Sequence, residues 1–182
     1  MPSRALPRWI VKEQRAVLEN PWFRVLRSEV ATPSDVARTY WSVDCLRLAV
    51  AVVPRRRGEV LLVHQHRFLV EQHVWAIPSG GAERGEDLSA AAARELVEET
   101  GHEASAIWPL QAYFPSYGLG NQQFHLFEAD VGDAPQVAFD TDEVIEARWF
   151  PQVEVRRMLL AGEIVDGLSL VPLLLLCARE RW

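Results

Sequence analysis

"GGAERGEDLSAAAARELVEETG", residues 80–101, holds the clearest local structure signal in the chain. Residues 88–100 are mostly strong helix formers. Asp87 and Ser89 are both available as N-cap, and Gly101 is placed to end the helix in the left-handed conformation, so a helix is predicted over Leu88–Thr100. On it Glu95 and Glu99 stand four apart and Glu95 and Glu98 three apart, which puts all three on one face. Leu88, Ala92 and Leu96 lie on a separate apolar face suited to packing on a sheet. Like charges at these spacings cost a few tenths of a kcal/mol per pair (about 0.2–0.5), so the cluster is unfavourable unless a cation offsets it. A hard divalent cation does this best, because magnesium takes one or two carboxylates, keeps several waters and completes its octahedron with phosphate oxygens. A solvated acidic face is the plain alternative.

On either side the pattern changes period. Residues 9–51 contain "WFRVLRSEV" and "TYWSVDCLRLAVAVV" separated by the turn-like "ATPSD", which predicts a small antiparallel meander ahead of the main sheet. "GEVLLVHQHR" is predicted as a buried strand. "VEQHVWAIPSGG" is predicted as a loop entering a second short strand, and the glycine-rich segment after it as a turn. Beyond the helix, strands are expected at "SAIWPLQAYF", "QFHLFEADV" and "IEARWF", separated by the loops "PSYGLGNQ" and "AFDTDEV". Helices are expected at about Val153–Ala161 and Ser169–Arg181, with Pro172 in a first turn. There is no internal repeat. The fold class expected is α+β, with residues 1–45 as an N-terminal β region and 46–182 as the main domain.

The chain has 182 residues, 49% of them hydrophobic, enough for one ordinary domain with a small appendage. A net charge of -6 and the lack of a basic run argue against nucleic acid as partner. Cys45 and Cys177 belong to no metal-spaced cluster and are expected to be buried thiols of a reduced, cytoplasmic protein. The start of the chain lacks an apolar core of signal-peptide length, and "LSLVPLLLLCA" is too short to span a bilayer, so no membrane partner is expected.

The neighbours of the glutamates carry more weight than the glutamates. Gly80 is followed by five residues and Glu86, then seven and Arg94-Glu95-Leu96, then one and Glu98-Glu99, then one and Gly101. With each residue type used at about 5–7%, a chance match is on the order of one in a billion per starting point. This pattern resembles the signature box of the Nudix hydrolase family. One position departs, His102 standing where the box ends in an aliphatic residue, and His102 is expected to be structural. The resemblance implies an α/β/α sandwich with a mixed central sheet. It also implies a loop-helix-loop that presents Mg2+ (or Mn2+) to a nucleoside diphosphate linked to another moiety. By position, Glu95 and Glu99 resemble the inner carboxylate ligands, Glu98 a further ligand or a partner through water, and the Ser79 carbonyl the main-chain ligand. Arg94 resembles the residue that orients these carboxylates, and Glu86 an outlying, supporting acid.

Order along the rest of the chain resembles the ADP-ribose pyrophosphatase branch, through "ENPWFRVLRSEV", "VLLVHQHR", "VWAIPSGG", "AYFPSYGLGNQQFHLFEAD" and "GEIVDGLSLVPLLLL". In that branch an acidic loop carries the base that takes a proton from water, or an additional metal ligand. Here "DTDEVIEARWF" supplies Glu143 as first choice and Asp142 as second, with Asp140 beside them. Two departures are Ser79 in place of alanine before the box, and Ser116-Tyr117-Gly118 with Asn121, Gln122 and Gln123 in the loop after it. The branch also implies a homodimer whose N-terminal strands contribute to nucleoside binding. Trp22 and Phe23 are the candidates to stack on a base, and Arg38 or Arg67 to meet phosphate or ribose. His64, His66, His73 and His125 form no obvious ligand set and are expected to be hydrogen-bonded or exposed. The activity implied is Mg2+-dependent hydrolysis of ADP-ribose or a related nucleoside diphosphate sugar. The alternatives are a dinucleoside polyphosphate, NADH or a coenzyme A derivative as substrate, or a Nudix-like module that senses a nucleotide without cleaving it.

Overall fold

The computed structural model describes residues 6–133, 136, 138–180 and 182, and the chain forms two compact units. The first comprises the chain up to Arg47 together with Ser116–Gln122. In it β1 (Ile10–Glu19), β2 (Phe23–Ala31) and β3 (Ala37–Cys45) pair antiparallel in sequence order, which is the meander predicted from residues 9–51. Between β1 and β2 the Asn20 Oδ1 accepts from the N–H groups of Trp22 and Phe23 at 2.8 and 2.9 Å, the local bond that makes asparagine a turn former. Arg24 faces Asp44 across the β2–β3 register and forms an ion pair with it. The Ser116–Gln122 segment docks on β3, Val43 donating its N–H to the Leu119 carbonyl at 2.9 Å and Cys45 to Asn121 Oδ1 at 2.8 Å.

The second unit, Leu48–Pro115 with Gln123–Trp182, contains a mixed sheet. Its strands are β4 (Ala49–Arg56), β5 (Glu59–Arg67), β6 (Gln72–Ala76), β7 (Ser79–Gly81), β8 (Ala104–Tyr113), β9 (Phe124–Val131) and β10 (Glu146–Pro151). The order is β10-β5-β4-β9-β8, with β6 on β5 and β7 on β4. Only the central β4–β9 pairing is parallel among the described residues. β4 and β5 are joined by Arg57-Gly58, both at positive φ (46° and 81°), the two-residue turn whose twist matches that of the strands it links.

Both faces of the sheet are covered, which is why β4 reads as a continuous apolar run rather than an alternation. Val50, Val52 and Leu61 pack on Ala91, Ala92 and Leu96 of α1 (Leu88–Thr100). The opposite pleats, Ala51, Val53, Val60 and Leu62, pack on Val155, Met158 and Leu159 of α2 (Gln152–Leu160) and on Leu173 and Leu176 of α3 (Gly167–Glu180). The result is the expected α/β/α sandwich. Leu96 is fully buried, so its truncation to alanine is of the kind that costs about 2–5 kcal/mol.

α1 spans the residues predicted. Of the two candidate caps Asp87 is the one used: its side chain accepts from the N–H groups of Ser89 and Ala90, both at 3.0 Å. Gly101 sits at φ 67°, its N–H bonded to the Val97 carbonyl. Elsewhere the structure differs from expectation. The stretch expected as a loop entering one short strand holds two, β6 on β5 and Ser79–Gly81 as β7 on β4. α3 begins at Gly167 because Asp166 Oδ2 accepts from both the N–H and the hydroxyl of Ser169, so Pro172 falls in the second turn and not the first. Cys45 and Cys177 are half-buried rather than buried. Among the described residues no helix is long and apolar enough to cross a membrane.

Candidate active site

α1 delivers the three glutamates to unlike surroundings. Glu98 is exposed, Glu95 half-buried, and Glu99 retains 3% of its surface. Arg94 is the hub of the outer part. Its Nε donates to Glu86 Oε1 at 3.1 Å, its Nη1 to Glu95 Oε1 at 2.9 Å and Glu98 Oε2 at 2.8 Å, and its Nη2 to the Gly81 carbonyl at 3.0 Å. One guanidinium thus ties three carboxylates of the helix and its leading loop to β7, a use of the planar fork that a lysine cannot reproduce. Bonding to Arg94 holds the Glu86 carboxyl below its usual range.

Glu99 is held differently. Oε2 accepts the Ser79 N–H at 3.1 Å and Oε1 accepts Gln65 Nε2–H at 3.2 Å. Both donors are neutral, and burial pushes the carboxyl up to about 8, against the pull of those two bonds and of the more distant Arg67 charge. Glu95 is also raised, first by burial, with the nearby charges of Glu98 and Glu143 adding to it and Arg94 opposing. Gly80 makes this closeness possible, since a Cβ built there would collide with the Glu95 carboxyl group.

These groups line an open cleft of about 600 Å3 whose walls include Ser79, Gly80, Glu95, Glu98, Glu99, Asp140 and Glu143. The acidic loop is fastened to the helix by the Asp140 N–H, which donates to the Glu98 carbonyl at 2.8 Å. The Asp140 side chain is engaged in its own turn, accepting the Asp142 N–H at 2.8 Å. Glu143 lines the cleft with Asp140, and Asp142 does not. Arg67, at the end of β5, lines a neighbouring cleft of about 720 Å3 that shares Ser79. Trp22, Phe23 and Arg38 belong to the first unit, the two rings exposed at the start of β2 and Arg38 exposed on β3.

Among the described residues no three His, Cys, Asp or Glu side chains stand gathered as a metal-ligand set, and Glu95 and Glu98 are both bonded to Arg94. The donor set still suits a hard divalent cation. Glu99 is an acid buried among neutral donors, Glu95 is raised by its surroundings, and magnesium needs only one or two carboxylates beside carbonyl, water and phosphate oxygens.

His102 is buried against Trp149, ring centroids 5.7 Å apart, as a packing residue. His64 stacks on Trp75 at 4.7 Å, and His66 and His73 are exposed on the same hairpin. His125 departs from expectation, its Nε2 being buried without a hydrogen-bond partner among the described residues. Gln65 escaped sequence inspection altogether. The available signal was its position on β5, where Leu61, Val63 and Gln65 share one pleat face and a lone amide follows two core residues.

The NUDIX domain family model matches residues 46–168. The chain is 29% identical over 167 residues to a CMP-5'-(N-acetyl-N-hydroxy-3-aminopropyl)phosphonate hydrolase of Streptomyces rubellomurinus, covering 92% of this chain and 81% of that protein. It is 30% identical over 122 residues to an ADP-ribose pyrophosphatase of Bacillus subtilis, covering 65% of this chain and 66% of that one. An ADP-ribose pyrophosphatase of Mycobacterium tuberculosis is 27% identical over 157 residues, 84% of this chain and 75% of that protein. A crystal structure of an ADP compounds hydrolase superposes with a TM-score of 0.84 at 19% identity, over 98% of this chain and 96% of the other, and so shares the fold.

Proposed function

The chain belongs to the NUDIX family and is a Nudix pyrophosphohydrolase, and from that premise we propose that it hydrolyses the pyrophosphate bond of ADP-ribose or a related nucleoside diphosphate sugar with Mg2+ (or Mn2+). The observation that carries this reading is Glu99, a buried acid beside Glu95 at the wall of a cleft that Glu143 faces. In this reading Glu95, Glu99 and the Ser79 carbonyl hold the metal, with Glu98 as a further ligand or a partner through water. When bound, the cation neutralises the diphosphate oxygens and stabilises the departing phosphate. Arg94 orients Glu95 and Glu98. Glu143 takes a proton from the attacking water as its oxygen bonds to phosphorus and the bridging P–O bond breaks, giving nucleoside monophosphate and sugar phosphate. Asp142 stands second to Glu143 as base.

Substrate recognition is assigned to Arg67 within the second unit and to Trp22, Phe23 and Arg38 on the first, across a homodimer. Support for that dimer is β1, every residue of which is exposed, Ile10, Val11, Val17 and Leu18 included. The protein is proposed to act in the cytoplasm. A second reading, hydrolysis of another nucleotide-linked anhydride, is favoured by the Streptomyces relative, which matches 92% of the chain and is named for a CMP-linked phosphonate. The test is phosphate release, coupled to a phosphatase, from ADP-ribose and from other nucleoside diphosphate derivatives, with Mg2+ and with EDTA. Metal-dependent turnover that Glu99→Gln lowers by orders of magnitude is expected. Tight binding without turnover would make the protein a sensor.

A further inference from the structure

The amide of Gln65 is 2% exposed, and the catalytic reading assigns it no part. A buried amide is expected to satisfy both its ends. Here Nε2 donates to Glu99 Oε1 at 3.2 Å, while the Gln65 Oε1 is buried with no hydrogen-bond partner among the described residues. The packing of the core does not call for this side chain. Leu61 and Val63 occupy the preceding positions of the same pleat face, and an apolar residue of similar length would leave no acceptor stranded. What the amide has gained for that unpaired oxygen is a single bond, and it goes to a carboxylate.

We propose that Gln65 is a positioning residue for Glu99, its Nε2–H fixing one carboxylate oxygen while the Ser79 N–H fixes the other, so that the Glu99 carboxylate is presented to a divalent cation in one orientation. The inference rests on the reading of Glu99 as a metal ligand. Two donors from two strands, β5 and β7, clamp the carboxylate at both oxygens and leave each oxygen a further lone pair. The direction of the amide, with Nε2–H toward Glu99 Oε1, is the one that suits the charged carboxylate a cation takes. Partners of this kind behind a metal ligand are worth about 10–100-fold in metal affinity.

The test is Mn2+ binding to the full-length protein, followed by the loss of the free Mn2+ EPR signal, for the wild type, Gln65→Leu, Gln65→Met, Glu99→Gln and the Gln65→Leu/Glu99→Gln pair. Each Gln65 variant is expected to bind Mn2+ about 10–100-fold more weakly. Gln65→Leu placed on Glu99→Gln should add less than about threefold, because a residue that acts through Glu99 has nothing left to act on. Both Gln65 variants should fold normally in EDTA, and failure to fold would overturn the proposal by making the amide a core requirement. Unchanged Mn2+ affinity in folded Gln65 variants, or losses that add in the pair, would also overturn it while leaving Glu99 as a ligand. Should Glu99→Gln itself leave Mn2+ affinity intact, the metal reading and this inference fall together.

Discussion

Replacing Glu99 by glutamine in the metal-free protein should turn from destabilising to stabilising as the pH rises. The carboxyl lies at about 8 in the folded chain against an ordinary 4.5, so between those values the folded state holds a proton that the unfolded state has released. The stabilisation that proton brings is complete below pH 4.5 and is lost as pH rises through about 8, at up to ~1.36 kcal/mol per pH unit. Integrated across the gap, burial of the charged form costs on the order of 5 kcal/mol by pH 9. Glutamine removes the charge but supplies one acceptor where Glu99 supplies two. The Ser79 N–H keeps that acceptor, and a turned Gln65 amide offers its Oε1 to the new N–H2 group, while its Nε2 takes over the unpaired place. Allowing about 1–3 kcal/mol for imperfect rearrangement, Glu99→Gln should be less stable than the wild type by up to about 2 kcal/mol at pH 5 and more stable by roughly 2–4 kcal/mol at pH 9. The assay is urea unfolding in EDTA at pH 5, 7 and 9, reading the difference between the two proteins so that other titrating groups cancel. A difference that does not change with pH, or a less stable variant at pH 9, would show that the Glu99 environment is not the one described.

Glu143→Gln should lower kcat at saturating Mg2+ by about 10²–10⁴-fold with the fold unchanged, and an unaltered kcat would move the base to Asp142 or Asp140. Gly80→Ala puts a methyl group into the space of the Glu95 carboxyl, so metal-dependent turnover should fall by about 10–100-fold at an unchanged melting temperature. Turnover at the wild-type level would mean that Glu95 tolerates displacement.

Signals confined to a few neighbouring residues were readable without coordinates. Asp87, the helix formers and Gly101 specify α1 locally, and the same stretch sets the spacing of Glu95, Glu98 and Glu99, so element and candidate site emerged together. What depended on distant partners was not. One short strand was expected within residues 70–81 and two form, Ser79–Gly81 being the second because β4 offers it a ladder. Pro172 moved into the second turn because Asp166, outside the expected helix, captures Ser169. Gln65 gained its meaning from a glutamate on another element, a pairing that no periodicity encodes. The acidic loop offered three carboxylates, ranked Glu143 before Asp142 from the sequence, and only the folded loop shows that Asp140 and Glu143 line the cleft while Asp142 does not.

The pairing at the middle of the sheet bears on how the protein is made. β4 lies against β9 with Val52 beside Phe127, so the strand at the heart of the sheet cannot acquire that neighbour until most of the polypeptide has left the ribosome. Until then a nascent chain displays the apolar run "AVAVV" with one side unpaired, the kind of edge that other chains add to. Late pairing of this kind slows folding relative to a sheet built from neighbouring hairpins alone.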